Sequence, residues 1–455
     1  MTTCRTTRRV ALCVCLSFLA ATEAALAADV SPLARLSFEP SMQAGFSDAQ
    51  GNYVAGTEVM HLVPYRGRLY AGTSLWMEKD PDIAKACQVL VLDSPRGRWR
   101  VEHQFTKANL RLGSLKAVTF RTDGKGNRVP PMPMLLAAPD VARGPVAIFV
   151  RDEETGRWLP SVLGSAAKRT TTRAIGFHRD SVTGVDHVLA GTDTLGILAG
   201  TYDAAAPAHI RWAGVSEMKT PEGERVMGFC DCNGAAYCAT SRHIYRRRDS
   251  RSPSWQEVYF CPEETKPCGI RGLTAVPDPH GRGEVLWFAA LSRVRRLDPA
   301  DGFKETVELR MPAFLGRRLG VPVAFALAAY DELLPVTLPD TGEIVWLFGF
   351  ESSYPRAFVE TVPPPKLQLL VHEGHRWYFA AEARYFVRHA KGPEVSYEVA
   401  QVTDPRQPTL VSVRAIAVSP FAEDRGRAFY FAGFDCNSVP SHNTAWIYRG
   451  EMRSK

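Results

Sequence analysis

A short apolar pattern occurs seven times along the chain, and no other feature limits the fold so strongly. Each copy starts on large apolar residues, passes through small ones, and closes on Ser, Asp or Glu. The copies are Leu69–Ser74, Leu135–Asp140, Val188–Asp193, Ala236–Ser241, Trp287–Ser292, Trp346–Glu351 and Tyr430–Asp435, the sixth being the loosest. Successive closing residues lie 48 to 84 positions apart. A second pattern keeps the same phase upstream, through Met60-His61-Leu62, Lys116-Ala117-Val118, Arg173-Ala174-Ile175, Met227-Gly228-Phe229, Arg271-Gly272-Leu273, Phe325-Ala326-Leu327 and Arg414-Ala415-Ile416. Downstream, several copies run through a turn into an aromatic residue, as in Gly156-Arg157-Trp158. Periods of this length mark a repeat architecture, in which one unit cannot bury its own apolar faces.

Four strand-like runs per repeat, without sustained helical periodicity, predict an all-β ring. The expected fold is a seven-bladed β-propeller of four-stranded antiparallel blades, with small residues letting blades approach near the axis. The Gly-x-Trp turns resemble those of the Asp-box and kelch-like propeller families. Asp93-Ser94-Pro95-Arg96-Gly97-Arg98-Trp99 is nearest, although the full Ser-x-Asp-x-Gly-x-x-Trp spacing is never met. The resemblance spans most of residues 55–450 and implies the propeller superfamily without a specific family. The last repeat runs out after Ala445–Arg449, so Ala34–Phe38 is expected to supply its outer strand and close the ring. The sixth repeat carries an insertion at about 352–380, with Pro363-Pro364-Pro365 and a hairpin around His372-Glu373-Gly374-His375. It is read as a lid or docking surface, with an eighth, degenerate blade as the alternative.

Residues 1–27 read as a cleaved signal peptide: Arg5, Arg8 and Arg9 precede an apolar run, and Ala25-Leu26-Ala27 offers a small-x-small cleavage site. Both ordinary and twin-arginine export fit the arginine pair. The remainder, 28–455, is expected to form one propeller domain, monomeric and periplasmic or secreted. Without the leader the formal charge falls from +7 to +5, spread along the chain. That scatter argues against nucleic acid as a partner, and Arg246-Arg247-Arg248 reads as an outer, solvated run. No mature stretch is long and apolar enough to span a membrane as a helix. Seven cysteines follow the leader. In an oxidising compartment they suggest disulfides, with Cys261–Cys268 stapling a polar loop and Cys87–Cys436 reinforcing ring closure. Their spacing does not suit a metal cluster.

The propeller frame places Ser74, Asp140, Asp193, Ser241, Ser292, Glu351 and Asp435 on one rim, because a second strand ends where an innermost strand begins. Lys116, Arg173, Arg271 and Arg414 are expected nearer the channel, with Arg225 close in phase, as a basic ring suited to an anion. The same residues would otherwise pair with the rim carboxylates and only fix the blade ends. Asp435, Asn437, His442 and Asn443 form a polar last loop, read as ligand-binding or as turn structure. Asp435 and Asn437 would be the ligands of any calcium, but no cofactor or metal is expected. The function expected is binding or scaffolding, with a small anionic or carbohydrate-like ligand or a protein partner on the loop-rich face. The alternative is a propeller hydrolase or lyase acting on a carbohydrate-like substrate, with catalytic carboxylates drawn from Glu351, Asp435, Asp193 and Asp140. Whether the protein is an enzyme stays open at this point. Arg173, Arg271 and Arg414 superficially resemble a sialidase arginine trio, but that family's Arg-Ile-Pro segment is missing and no activity is carried over.

Overall fold

The computed structural model describes residues 31–75, 86–263, 269–339, 341–361, 367–372, 375–380, 382–402, 410–435 and 442–452. Seven antiparallel sheets follow one another in sequence order, each a blade. In blade one the strands are Glu58–Tyr65, Arg68–Ser74, Gln88–Leu92 and Arg100–Gln104, counted from the axis outwards. The innermost strands of blades two to five are Leu112–Thr122, Thr172–Arg179, Val226–Cys232 and Arg271–Pro277. Blade seven begins with Ser412–Val418. All seven hexapeptide copies lie on second strands or at their ends.

The outer strand of blade seven comes from the other end of the chain. Ser37–Gln43 pairs antiparallel with Ala445–Glu451, which matches the expected closure with a shift in boundary. Pro32–Arg35 instead forms a short 3-10 turn, started by Pro32 and by the Ser31 side chain accepting from the Leu33 amide. The strand therefore begins only at Ser37.

Blade six departs most from regularity. Its innermost strand is broken into Phe325–Ala328 and Leu334–Thr337, both paired with Ile344–Ser353. The hairpin Leu367–His372 with His375–Ala380 forms as expected and extends the same sheet through Ser353. Apart from a small two-stranded pairing of Phe46–Ser47 with Tyr53–Val54, seven blades account for the sheets of the described residues, and the insertion hairpin extends the sheet of the sixth. Two helices were not legible in the sequence, Met311–Leu319 and Arg356–Thr361. The first is only nine residues long, has Pro312 near its start and ends on Gly320 in the left-handed region.

The core lies between blades, where apolar side chains from neighbouring sheets interdigitate. Val226 and Phe229 of blade four, for example, pack with Leu189 and Ile197 of blade three. Among the described residues no helix is long and apolar enough to cross a membrane. Cys268 and Cys436, and with them both expected disulfides, lie outside the described residues, as do residues 1–30 and Asn437.

Candidate functional site

The central channel has an upper mouth, where innermost strands begin, and a lower mouth, where they end. A register shift marks the start of most innermost strands, leaving one extra residue between paired positions. Arg173 in blade three and Arg414 in blade seven occupy that position. Such bulges re-aim side chains and are frequent beside functional sites. Arg271 starts the strand of blade five. Lys116 is out of phase with these three, because the extra residue of blade two is Gly113. Lys116 lies three positions further down and is paired with Glu332 instead. The sequence pattern set Lys116 beside the arginines because it cannot show a bulge.

Arg414 is buried between two carboxylates, with Glu58 at 3.2 Å and Glu351 at 2.9 Å. Burial alone would weaken its charge, but Glu351 and Glu58 hold its pKa above the ordinary arginine value. Asp193 lies 3.6 Å from Arg173 and within the field of Arg225 and Arg111. Burial nevertheless dominates and keeps its carboxyl above the usual carboxylate range. Arg225 is pushed down, first by burial and then by the like charge of Arg173. Asp140 is tied up structurally, since it pairs with Arg169 and accepts from the Arg111 amide. Asp435 is buried, and its amide donates to the Thr444 carbonyl.

Tyr330 completes this cluster, and no pattern in the sequence singled it out. Between the two halves of blade six's innermost strand, residues Tyr330–Leu333 leave the ladder and enter the channel. Arg271 lies over the Tyr330 ring, 3.9 Å from its centroid, and donates to the hydroxyl at 2.9 Å and to the Ala328 carbonyl at 3.2 Å. Burial works to raise the Tyr330 hydroxyl, yet the charges of Arg271, Arg173 and Arg414 outweigh it and leave it more acidic than an ordinary tyrosine. Asp331 meets His61 of blade one at 3.1 Å, and Glu332 meets Lys116 of blade two. Below this segment a cavity of about 330 Å3 opens toward the lower mouth, lined by Lys116, Phe229, Cys230, Asp231, Glu332 and Leu333 among others.

His442 and Asn443 are placed away from the arginines, in the seam between blade seven and the N-terminal segment. The Asn443 side chain accepts from the Tyr53 hydroxyl, and its backbone carbonyl accepts from Gln43. The His442 carbonyl accepts from the Gly56 amide.

The expectation for Arg247 is corrected. It lies on a third strand as expected, but it is buried rather than solvated, with Asp180 at 2.9 Å, Glu217 at 2.8 Å and Asp249 at 2.6 Å. Three acidic partners at the blade three–blade four boundary draw it inward. Sequence separation of up to 67 residues hid them.

Among the described residues no group of three or more His, Cys, Asp or Glu side chains is disposed to hold a metal ion. The fold and this mouth define a seven-bladed β-propeller whose channel is crossed by a segment of its own sixth blade. No family model matches the chain, and no curated protein matches it. Solved structures with a similar arrangement include the WD40 domain of SCAP from fission yeast, at 9% identity, covering 92% of this chain and 99% of that one, with a TM-score of 0.39. A fungal alcohol oxidase in complex with copper gives 12% identity, 92% and 76% coverage, and a TM-score of 0.46. An α-L-arabinofuranosidase from Fusarium graminearum in complex with an iminosugar inhibitor gives 8% identity, 78% and 97% coverage, and a TM-score of 0.40.

Proposed function

We propose that this propeller is an exported binding protein that takes a small anion at its upper mouth. The observation that carries the reading is a surplus of guanidinium groups over carboxylates in a partly buried mouth. Arg111, Arg173, Arg225, Arg271 and Arg414 gather around Asp193 and Tyr330, with Glu58 and Glu351 as the other carboxylates in their field. Guanidinium groups outnumber the carboxylates around Asp193 and Tyr330, which favours an anionic ligand, and guanidinium groups bind carboxylates in bidentate fashion. Three of the four carboxylates considered for catalysis, Glu351, Asp193 and Asp140, are already paired with arginine. That pairing favours binding over hydrolysis.

Isothermal calorimetry with succinate and glucuronate, against glucose as a neutral control, tests the reading. Both anions are expected to bind and glucose is not. Arg173→Ala and Arg225→Ala should each cost about 1.5–3 kcal/mol, a loss of at least tenfold in affinity. Equal affinity in wild type and both variants would overturn the assignment.

A hydrolase or lyase acting on a carbohydrate-like substrate is the second reading. It is favoured by one observation, the raised carboxyl of Asp193, which suits a general acid. Under that reading Asp193→Asn would abolish turnover while leaving succinate binding in place.

A further inference from the structure

The cationic mouth already holds an occupant that belongs to the chain itself. Tyr330 offers its hydroxyl and ring face to Arg271, and the flanking Asp331 and Glu332 answer His61 and Lys116. Three successive residues of one excursion from blade six therefore bond to blades one, two and five at once. Its two ends are seated in blade six: the Ala329 N–H donates to the Gly349 carbonyl at 2.9 Å, and Leu333 is buried in the core. Its other backbone bonds are Gly272 N–H to the Tyr330 carbonyl at 3.2 Å and Leu333 N–H to the Thr274 hydroxyl at 2.9 Å. Gly272 has φ of +67°, and a Cβ there would stand 3.5 Å from the Asp331 carbonyl and 2.9 Å from the Trp287 ring. Space is present on both sides of the segment. A void of about 70 Å3 touches His61, Arg173, Tyr330 and Asp331, and the cavity of about 330 Å3 lies beneath Glu332.

We propose that Tyr330–Glu332 is a displaceable internal plug, with Tyr330 holding Arg271, one of the arginines that an anionic ligand would take. This rests on the anion-binding reading above and adds its regulation. A ligand carboxylate makes stronger bonds to guanidinium than a neutral phenol does, so binding exchanges the Tyr330 hydroxyl for the ligand. The freed segment moves toward the cavity below it. Free protein then sits mainly in the plugged state, and apparent affinity is reduced by the small fraction that is open. The Asp331–His61 and Glu332–Lys116 pairs set that fraction without touching the arginines.

The test compares wild type with the double variant Asp331→Asn, Glu332→Gln, using succinate as the probe. Weakening both pairs is expected to tighten succinate binding by about tenfold. Hydrogen exchange supplies a second, independent reading at the Gly272 and Leu333 amides. Both should exchange faster in the double variant, and faster in wild type once succinate is added. Unchanged exchange in both comparisons would overturn the proposal and make the segment a fixed part of the channel wall. Weaker binding in the folded double variant would do the same. If succinate binds neither protein, the anion reading falls, and exchange in the variant alone decides whether the segment opens. Should the double variant fail to fold, Tyr330→Phe removes a single hydroxyl and carries the same two measurements.

Discussion

Gly349 and Gly433 occupy the second small position of their hexapeptide copies, and the space around them explains why the pattern exists. A Cβ on Gly349 would stand 2.3 Å from the Val413 carbonyl of the next blade. On Gly433 it would stand 1.6 Å from the Ser412 carbonyl. Backbone cannot swing aside as a side-chain tip can, so both positions exclude a methyl group. Blades two, four and five carry Ala138, Ala239 and Ala290 at the same place, which confines the requirement to the closest approaches. Gly349→Ala and Gly433→Ala should each destabilise the fold by about 1–3 kcal/mol or more, measured as a lower urea midpoint. Ala138→Gly, which removes a methyl from a site that accepts one, should show no such overpacking loss. The small residues near the axis were legible because packing there is a local demand repeated in every unit. Arg247 was not, because two of its three acidic partners, Asp180 and Glu217, come from distant segments.

Between elements, one clasp holds blade three to blade four. Nδ1 of His178 faces Asp231 at 3.0 Å and Nε2 faces Asp249 at 3.0 Å. A carboxylate only accepts, so both ring nitrogens donate and the ring is an imidazolium. Burial opposes that charge, but the bonds to Asp231 and Asp249 prevail and raise the His178 pKa. Asp249 is lowered to about 2 despite its burial, by the Ser181 amide and by His178, and stays ionised at neutral pH. Arg247, Asp180 and Glu217 complete the charged surroundings, beside His187, whose pKa is lowered first by burial and then by Arg247. An unfolded histidine titrates near about 6.5. The clasp therefore contributes fully below that value and is lost as pH rises through the raised folded pKa. Melting temperature should fall on going from about pH 6 to about pH 9. His178→Gln should remove that part of the fall, and an unchanged profile in the variant would refute the clasp. Strand order and blade count could be read from the repeats, because hydrophobic phase is written residue by residue. The bulge that puts Gly113 in line with Arg173 inserts no signal of its own, and so Lys116 was misplaced. Tyr330-Asp331-Glu332 likewise reads as an ordinary polar interruption until His61, Lys116 and Arg271 surround it.

For the whole molecule, stability depends on a ring with no free blade edge at its seam. The seam is fastened by more than the strand Ser37–Gln43. Tyr385 donates its hydroxyl to the Leu33 carbonyl, and Asn443 holds Tyr53 and Gln43. Deleting residues 31–43 would leave the Ala445–Glu451 strand with unpaired backbone groups along one side, an open template for another chain. Such a truncation should elute as oligomers on size exclusion and melt earlier than the full chain. A monomer of unchanged melting temperature would refute the seam's role.

The same seam sets a timetable. Ser37 pairs with Glu451, so the earlier strand finds its neighbour only after the more than 400 residues between them have been translated. Six blades can assemble as they emerge, each from contacts close in sequence. The seventh must wait, with its future outer strand left single while the rest of the ring is made. Contacts of such wide separation form slowly, because loop closure has to come before any gain from pairing. The latest step in closing this ring is therefore the meeting of two strands made far apart in time.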